Sequence, residues 1–236
     1  RTILAFGPTA GLLIAAMLAP FAGRLVDRGY GPRLLAGGPV LSALGLVVAS
    51  RAEGLPAVWI AGFVLIGLGQ ATSQFETCFA LLTRWLGKAA RGAIVRVTLV
   101  GGFATTLAFP LGDALNRAFG WQGALLGLAL MQVAVTLPLN VFGLRLLGKT
   151  AGASDKGGDE GAAGGGHLRA ALRMAAFWIL AGMIALVWMN HAMLTTFALP
   201  VLMDRGAAHD IAVMLAAAMG PAQVAGRLML VLAGDR

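Results

Sequence analysis

Long apolar runs recur along the chain at roughly Leu4 to Ala22, Leu34 to Ser50, Ala57 to Leu82, Val97 to Gly112, Gly123 to Leu147, Met174 to Met203 and Ile211 to Ala233. A hydrocarbon core of about 30 Å is crossed by about 20 helical residues, so each run predicts a membrane-spanning helix. Lipid offers no water to unpaired N–H and C=O groups, which leaves the helix as the only spanning conformation for runs of this length. The pattern therefore predicts an all-α, multi-span helical bundle with seven spans. Prolines at 20, 39, 110, 138, 200 and 221 fall inside the runs and are expected to bend the helices without ending them.

The connections between runs carry the charge. Taking them alternately collects Arg24, Arg28, Arg33, Arg84, Lys88, Arg91, Arg96, Arg145, Lys149, Lys156, Arg169, Arg173 and Arg236 on one side. Only Arg1, Arg51, Arg117 and Arg205 fall on the other. The positive-inside rule makes the first set cytoplasmic, with Arg1 outside and Arg236 inside. The expected location is the bacterial cytoplasmic (inner) membrane, as an integral membrane protein.

Composition agrees with the pattern. Of 236 residues, 58% are hydrophobic and 12% charged, against roughly 45–50% and 25% in soluble domains, and the mean hydropathy is +0.83. The net charge of +8 does not indicate nucleic acid, because no basic run is interleaved with aromatics and the charges sit between apolar spans. The single cysteine, Cys78, excludes an intramolecular disulfide. The chain begins at Arg1 and shows no cleavable signal pattern.

Between the first two runs lies GRLVDRGYGPR, from Gly23 to Arg33, with three arginines, one aspartate and three glycines. It resembles the loop signature between the second and third helices of major facilitator superfamily transporters, lengthened by one residue after Asp27-Arg28. The resemblance implies a cytoplasmic gating motif of Gly23, Asp27, Arg28, Gly31 and Arg33, in which a glycine lets two helices close and the aspartate pairs with an arginine. A second stretch, RWLGKAARGAIVRVTLVGGFATT from Arg84 to Thr106, resembles the helix-four to helix-five signature of the monocarboxylate and oxalate/formate branch. The seven runs would then be helices two to eight of a twelve-helix fold, with the first and the last four absent. The helix-four arginine of many proton-coupled members is missing from AVWIAGFVLIGLGQ.

The tract from Thr150 to Gly166 is a glycine, alanine and acid linker with nothing to bury. It predicts three parts: an N-terminal bundle at 1–149 (helices two to six), a cytoplasmic linker at 150–168, and the start of a C-terminal bundle at 169–236 (helices seven and eight). HLRAALRM beyond it reads as a surface amphipathic lead or as a simple helix extension. Ala22-Gly23-Arg24-Leu25 recurs as Ala225-Gly226-Arg227-Leu228, as two halves related by a parallel repeat would allow.

Ionisable and polar groups inside the runs are few. Glu76 lies in the third run, where Gln70, Ser73, Gln74 and Thr77 are spaced to share one helix face. The functional reading is a cavity lining with Glu76 as a proton or cation site, and the structural one is a carboxylate paired with an arginine such as Arg96. Arg227 is followed by apolar LMLVLAG, which sets its planar fork of donors deep enough to bind an anion. The resemblance places Gln223 and Arg227 where monocarboxylate-type members carry an aspartate and a substrate-contacting arginine. The other reading of Arg227 is a copy of the gate arginine or a side chain reaching to the interface. Trp188, His191 and Thr195 share a face of the sixth run with Asn190 beside it, either lining a cavity or as a satisfied buried histidine. Gly7 and Gly11 read as close helix packing, and Thr98, Thr105 and Thr106 as hydroxyls bonded to their own helix.

No zinc-protease, phosphate-loop or metal-spaced motif occurs, so no enzyme, cofactor or metal is expected. The sequence predicts a secondary active transporter of a small organic solute, a monocarboxylate or related anion, with a proton as coupling partner and the lipid bilayer as solvent. The alternative is a non-transporting binding or sensory membrane protein, or an inactive transporter fragment.

Overall fold

The computed structural model describes residues 2–153 and 173–233; most of the linker, most of the tract after it, and Arg236 lie outside the described residues. Among the described residues every regular element is helical. The α-helices are α1 (Thr2–Leu25), α2 (Gly31–Ser50), α3 (Pro56–Ser73), α4 (Phe75–Leu86), α5 (Ala90–Gly102), α6 (Ala104–Met131), α7 (Leu137–Ala153), α8 (Ala175–Asp204), α9 (His209–Ala217) and α10 (Met219–Ala233). Val26–Tyr30 and Gln132–Thr136 are π-helical turns, and Gly87–Ala89 is a 3-10 turn.

Four helical stretches are long and apolar enough to cross a membrane, Phe6–Ser50, Pro56–Gly148, Ala175–Asp204 and His209–Met229. The first two contain 45 and 93 residues, too many for one crossing of about 30 Å at about 1.5 Å per residue. Glycines in the left-handed region break them, Gly29 at φ 91°, Gly87 at φ 50° and Gly120 at φ 68°. The described residues thus form seven spanning stretches, one per apolar run. Two runs are less regular than expected. Gln74 is extended (φ −79°, ψ −178°) and splits the third run into α3 and α4. The seventh divides at Ala218, where Pro221 has no N–H to offer the Ala217 carbonyl.

The helices pack in two compact groups, Arg1–Val95 with Ala114–Gly158, and Arg96–Asp113 with Asp159–Arg236. In the first, α3 meets α1 and α2 with its backbone. A Cβ on Gly67 would land on the Gly11 carbonyl, and one on Gly11 would come 2.8 Å from the Phe63 carbonyl oxygen. On the α2 side, a Cβ on Gly45 would lie 2.6 Å from the Gly62 oxygen, and one on Gly69 2.7 Å from the Gly38 oxygen. Hydrophobic burial does not drive helix association in lipid, so small residues that let backbones approach supply the packing instead. Gly7 and Gly11 do serve as packing residues: a Cβ on Gly7 would run into the Trp59 and Phe63 rings.

Below this contact Val26, Leu35 and Leu81 form a buried cluster, with Leu34, Cys78, Ala80, Trp85 and Leu144 against it. Proline positions find local solutions. Pro39 is fully buried in α2 and denies the Leu35 carbonyl its helical N–H partner; Asn140 Nδ2 of α7 donates to that oxygen at 2.9 Å. Ahead of Pro138 the chain widens into the π turn, and Leu137 N–H donates five residues back to the Gln132 oxygen.

Leaving a buried acceptor unpaired costs about 1–3 kcal/mol. Asn140→Leu is therefore expected to lower the detergent-solubilised protein's unfolding midpoint in a thermal melt. Combined with Pro39→Ala, which restores the α2 N–H, the Asn140→Leu penalty is expected to shrink markedly. Equal penalties in both backgrounds would remove Asn140 from this role.

Candidate functional site

In the second group, the part of α5 and α6 within residues 96–113 meets α10. The Gly101-Gly102 pair ends α5, and Phe103 N–H turns back to the Val100 oxygen at 3.1 Å. A Cβ on Gly102 would lie 2.7 Å from Val224 Cγ2 and 3.4 Å from Arg227 Nη1, so glycine here admits both side chains. Arg227 Nη1 donates to the Thr98 carbonyl oxygen. Arg227 is the one charged residue of α10 and is half-buried. A guanidinium carries five N–H donors, so this bond leaves most of its fork for an anion. Gln223, one turn earlier, is half-buried and has no hydrogen bond to Arg227. Further along the interface, a Cβ on Gly220 would run into Thr106 Oγ1 and come 3.0 Å from Thr105 Oγ1. Thr105 Oγ1 donates to its own helix at the Gly102 oxygen, 3.5 Å. Thr106 differs from expectation: its Oγ1 is buried without a hydrogen-bond partner among the described residues.

On α8, Trp188 meets His191 edge to face with ring centroids 5.8 Å apart. Thr195 Oγ1 donates to the His191 carbonyl at 2.9 Å. Asn190 beside them is exposed. The apolar side chains of α8 are also open, Ile179 at 71% and Val187 at 64%, which suits a helix solvated by lipid and not by water.

The face expected around Glu76 does not form on one helix. The break at Gln74 separates Gln70 and Ser73 on α3 from Glu76 and Thr77 on α4. Ser73 Oγ donates to the Gly69 oxygen at 2.8 Å, and Thr77 Oγ1, itself buried, to the Ala71 oxygen at 3.1 Å. Thr77 thereby supplies a donor to a carbonyl that the break at Gln74 frees, while Ser73 bonds back to its own helix. Gln74 is exposed and precedes α4, and Glu76 is exposed in its first turn, where a carboxylate suits the helix dipole. Gln70 joins Ser42, Gln132 and Thr136 around a cavity of about 270 Å³ within the first group.

The Gly23–Arg33 loop, expected to carry a gating motif, is held by a residue outside that motif. Arg84, in the last turn of α4, donates Nη1 to the Val26 oxygen at 3.1 Å and to the Asp27 main-chain oxygen. The Asp27 carboxylate is exposed and has no ion pair among the described residues, so arginine meets this aspartate through its backbone. Close approach falls to Gly31, where a Cβ would lie 2.9 Å from Leu81 Cδ1; Gly23 has open space around it. Arg33 lies over the Tyr30 ring, 5.4 Å from its centroid, and Arg28 is exposed. The sequence marks Arg84 as a cytoplasmic charge opening the Arg84–Thr106 stretch, and nothing local ties it to a loop 57 residues earlier.

The sequence model of the Major Facilitator Superfamily matches residues 2–236. Monocarboxylate transporter 3 of Rattus norvegicus is 35% identical over 126 residues, covering 48% of this chain and 24% of the relative. Its Mus musculus counterpart is 32% identical over the same length and shares. The chain thus spans about a quarter of the length of these relatives. No solved structure matches.

Replacing Arg84 with Gln leaves the Val26 and Asp27 carbonyls without their donor. Hydrogen exchange at Val26–Gly31 is expected to accelerate by about 10-fold, the equivalent of about 1.4 kcal/mol of local opening, with exchange in α8 unchanged. Unaltered exchange in the loop would show that Arg84 does not hold it.

Proposed function

Since this chain belongs to the Major Facilitator Superfamily, we propose that it forms part of a secondary active transporter for a small organic anion, a monocarboxylate by preference. The observation that carries this is Arg227, a half-buried guanidinium midway along an otherwise uncharged α10, anchored by one donor with the rest of its fork open. A carboxylate meets such a fork through two parallel charge-assisted bonds. The names of the rat and mouse relatives favour the same substrate class. Gln223 supplies a neutral amide where a carboxylate would compete with the substrate for the arginine. Asn190 and His191 on α8, and Gln74 and Glu76 at the start of α4, are the other polar groups proposed for the solute path, with Glu76 a coupling-proton site.

Transport would proceed by alternating access, the bundle within 1–149 rocking against that within 169–236 across the linker at 150–168. Positive-inside counting puts the Gly23–Arg33 loop on the cytoplasmic side, where it would latch the outward-open state, and Arg1 outside with Arg236 inside.

The test is uptake and counterflow of labelled monocarboxylates by the full-length protein in proteoliposomes. Charge-assisted bonds contribute about 1.5–3 kcal/mol, so Arg227→Gln is expected to weaken apparent substrate affinity by about 10- to 100-fold while folding and insertion persist. Transport of another solute class with no carboxylate uptake would overturn the anion assignment.

A further inference from the structure

Arg96 and Asp113 stand at opposite ends of the first segment of the second helix group, separated by about 25 Å at about 1.5 Å per helical residue. At the Asp113 end, far from the arginine-rich connections, His209 Nε2 lies 2.7 Å from Asp113 Oδ1. His209 is the first residue of α9, just beyond the left-handed turn at Gly206, and Ala208 before it gives no side-chain cap. The pair joins α6 to α9, with the imidazole 40% and the carboxylate 17% exposed. That exposure gives protons access to the histidine while the carboxylate is largely withdrawn from water. A cation at a helix N-terminus is opposed by the helix dipole, and Asp113 is the carboxylate in hydrogen-bond contact with the imidazole.

We propose that His209 and Asp113 form a proton-binding latch on the face of the membrane opposite the basic connections. With the proton bound, imidazolium and carboxylate make a charge-assisted bond that ties the end of the α6 segment to α9. Loss of that proton removes the positive charge and leaves one neutral-donor bond, and the tie weakens. The charge-assisted bond exists only in the protonated form, so the latch closes toward acid and loosens toward alkali. The other titratable or charged groups on the elements at this end are Asp210 of α9, Arg117 one turn beyond Asp113, and Asp204 and Arg205 at the close of α8. Asp113, Asp210 and Arg117 each make further interactions; of these groups only the carboxylates can stabilise an imidazolium, and Asp113 is the one whose oxygen lies 2.7 Å from His209 Nε2. The consequence for transport rests on the alternating-access reading: an outer closure favoured by protons would bias the protein toward its inward-open form in acid.

The experiment uses the full-length protein with Cys78→Ala and spin labels on Gly112→Cys, whose Cβ has open space, and Ala208→Cys, which is exposed. Distance distributions in nanodiscs are recorded from pH 5 to pH 8.5. One short population is expected at low pH, with a longer one growing in at high pH. His209→Gln and Asp113→Asn are expected to abolish the dependence, and His209→Lys, still charged across the range, to hold the short population to pH 8.5. A wild-type distribution that ignores pH, or one that still responds in His209→Gln, overturns the latch. No transported solute enters this readout, so its failure is separate from a failure of the anion-transport reading.

Discussion

Helix α3 is held on both sides by main chain against main chain, and the first helix group depends on that contact. Gly67 meets Gly11 of α1, while Gly62 and Gly69 meet Gly45 and Gly38 of α2. In water a helix of this composition would be drawn to its neighbours by apolar burial. In lipid that drive is absent, and dispersion between surfaces close enough to interlock takes its place. Any side chain at these glycines would separate the helices and forfeit contacts along their length. The Gly23–Arg33 loop then follows, since Gly31 and Val26 pack onto Leu81 at the lower end of the same bundle.

A second constraint runs through the polar residues. Breaks and prolines free carbonyl oxygens inside a medium without water, and each freed oxygen needs a donor. Asn140 serves Leu35, Thr77 serves Ala71, Arg84 serves Val26 and Asp27, and Arg227 serves Thr98. Several side chains with a functional look in the sequence are thereby engaged in holding backbone. The His209–Asp113 pair is different in kind, because it joins two titratable side chains. In the latch proposed for it, the coupling of α6 to α9 would change with protonation while the helices remain intact.

Arg227 belongs to both descriptions. Its bond to Thr98 fixes one edge of the guanidinium against α5, which would lower the entropy lost on binding the anion proposed for the remaining donors. Gly102 makes this possible, for a side chain there would press on Val224 and on the arginine itself. An anion held by this fork would sit against the kink between α5 and α6, where a small helix movement changes the depth of the site.

The apolar runs by themselves determined the membrane environment, the all-helical fold and its seven stretches, because hydrocarbon leaves a chain of this hydropathy no other conformation. The GRLVDR loop and the Arg84–Thr106 stretch carried the family, and glycines four apart at Gly7 and Gly11 announced close packing. The break at Gln74 was not legible, since nothing in Ser73-Gln74-Phe75 forbids a helix, and it divided the face proposed around Glu76. Which glycine closes on a neighbour, Gly31 and not Gly23, depended on the position of Leu81 fifty residues away in sequence. The donors to Leu35, Asp27 and Thr98, and the partner of His209, were likewise set by helices 57 to 129 residues apart. Such pairings follow from which helix lies against which, and hydropathy along a chain records only what each helix shows to its solvent.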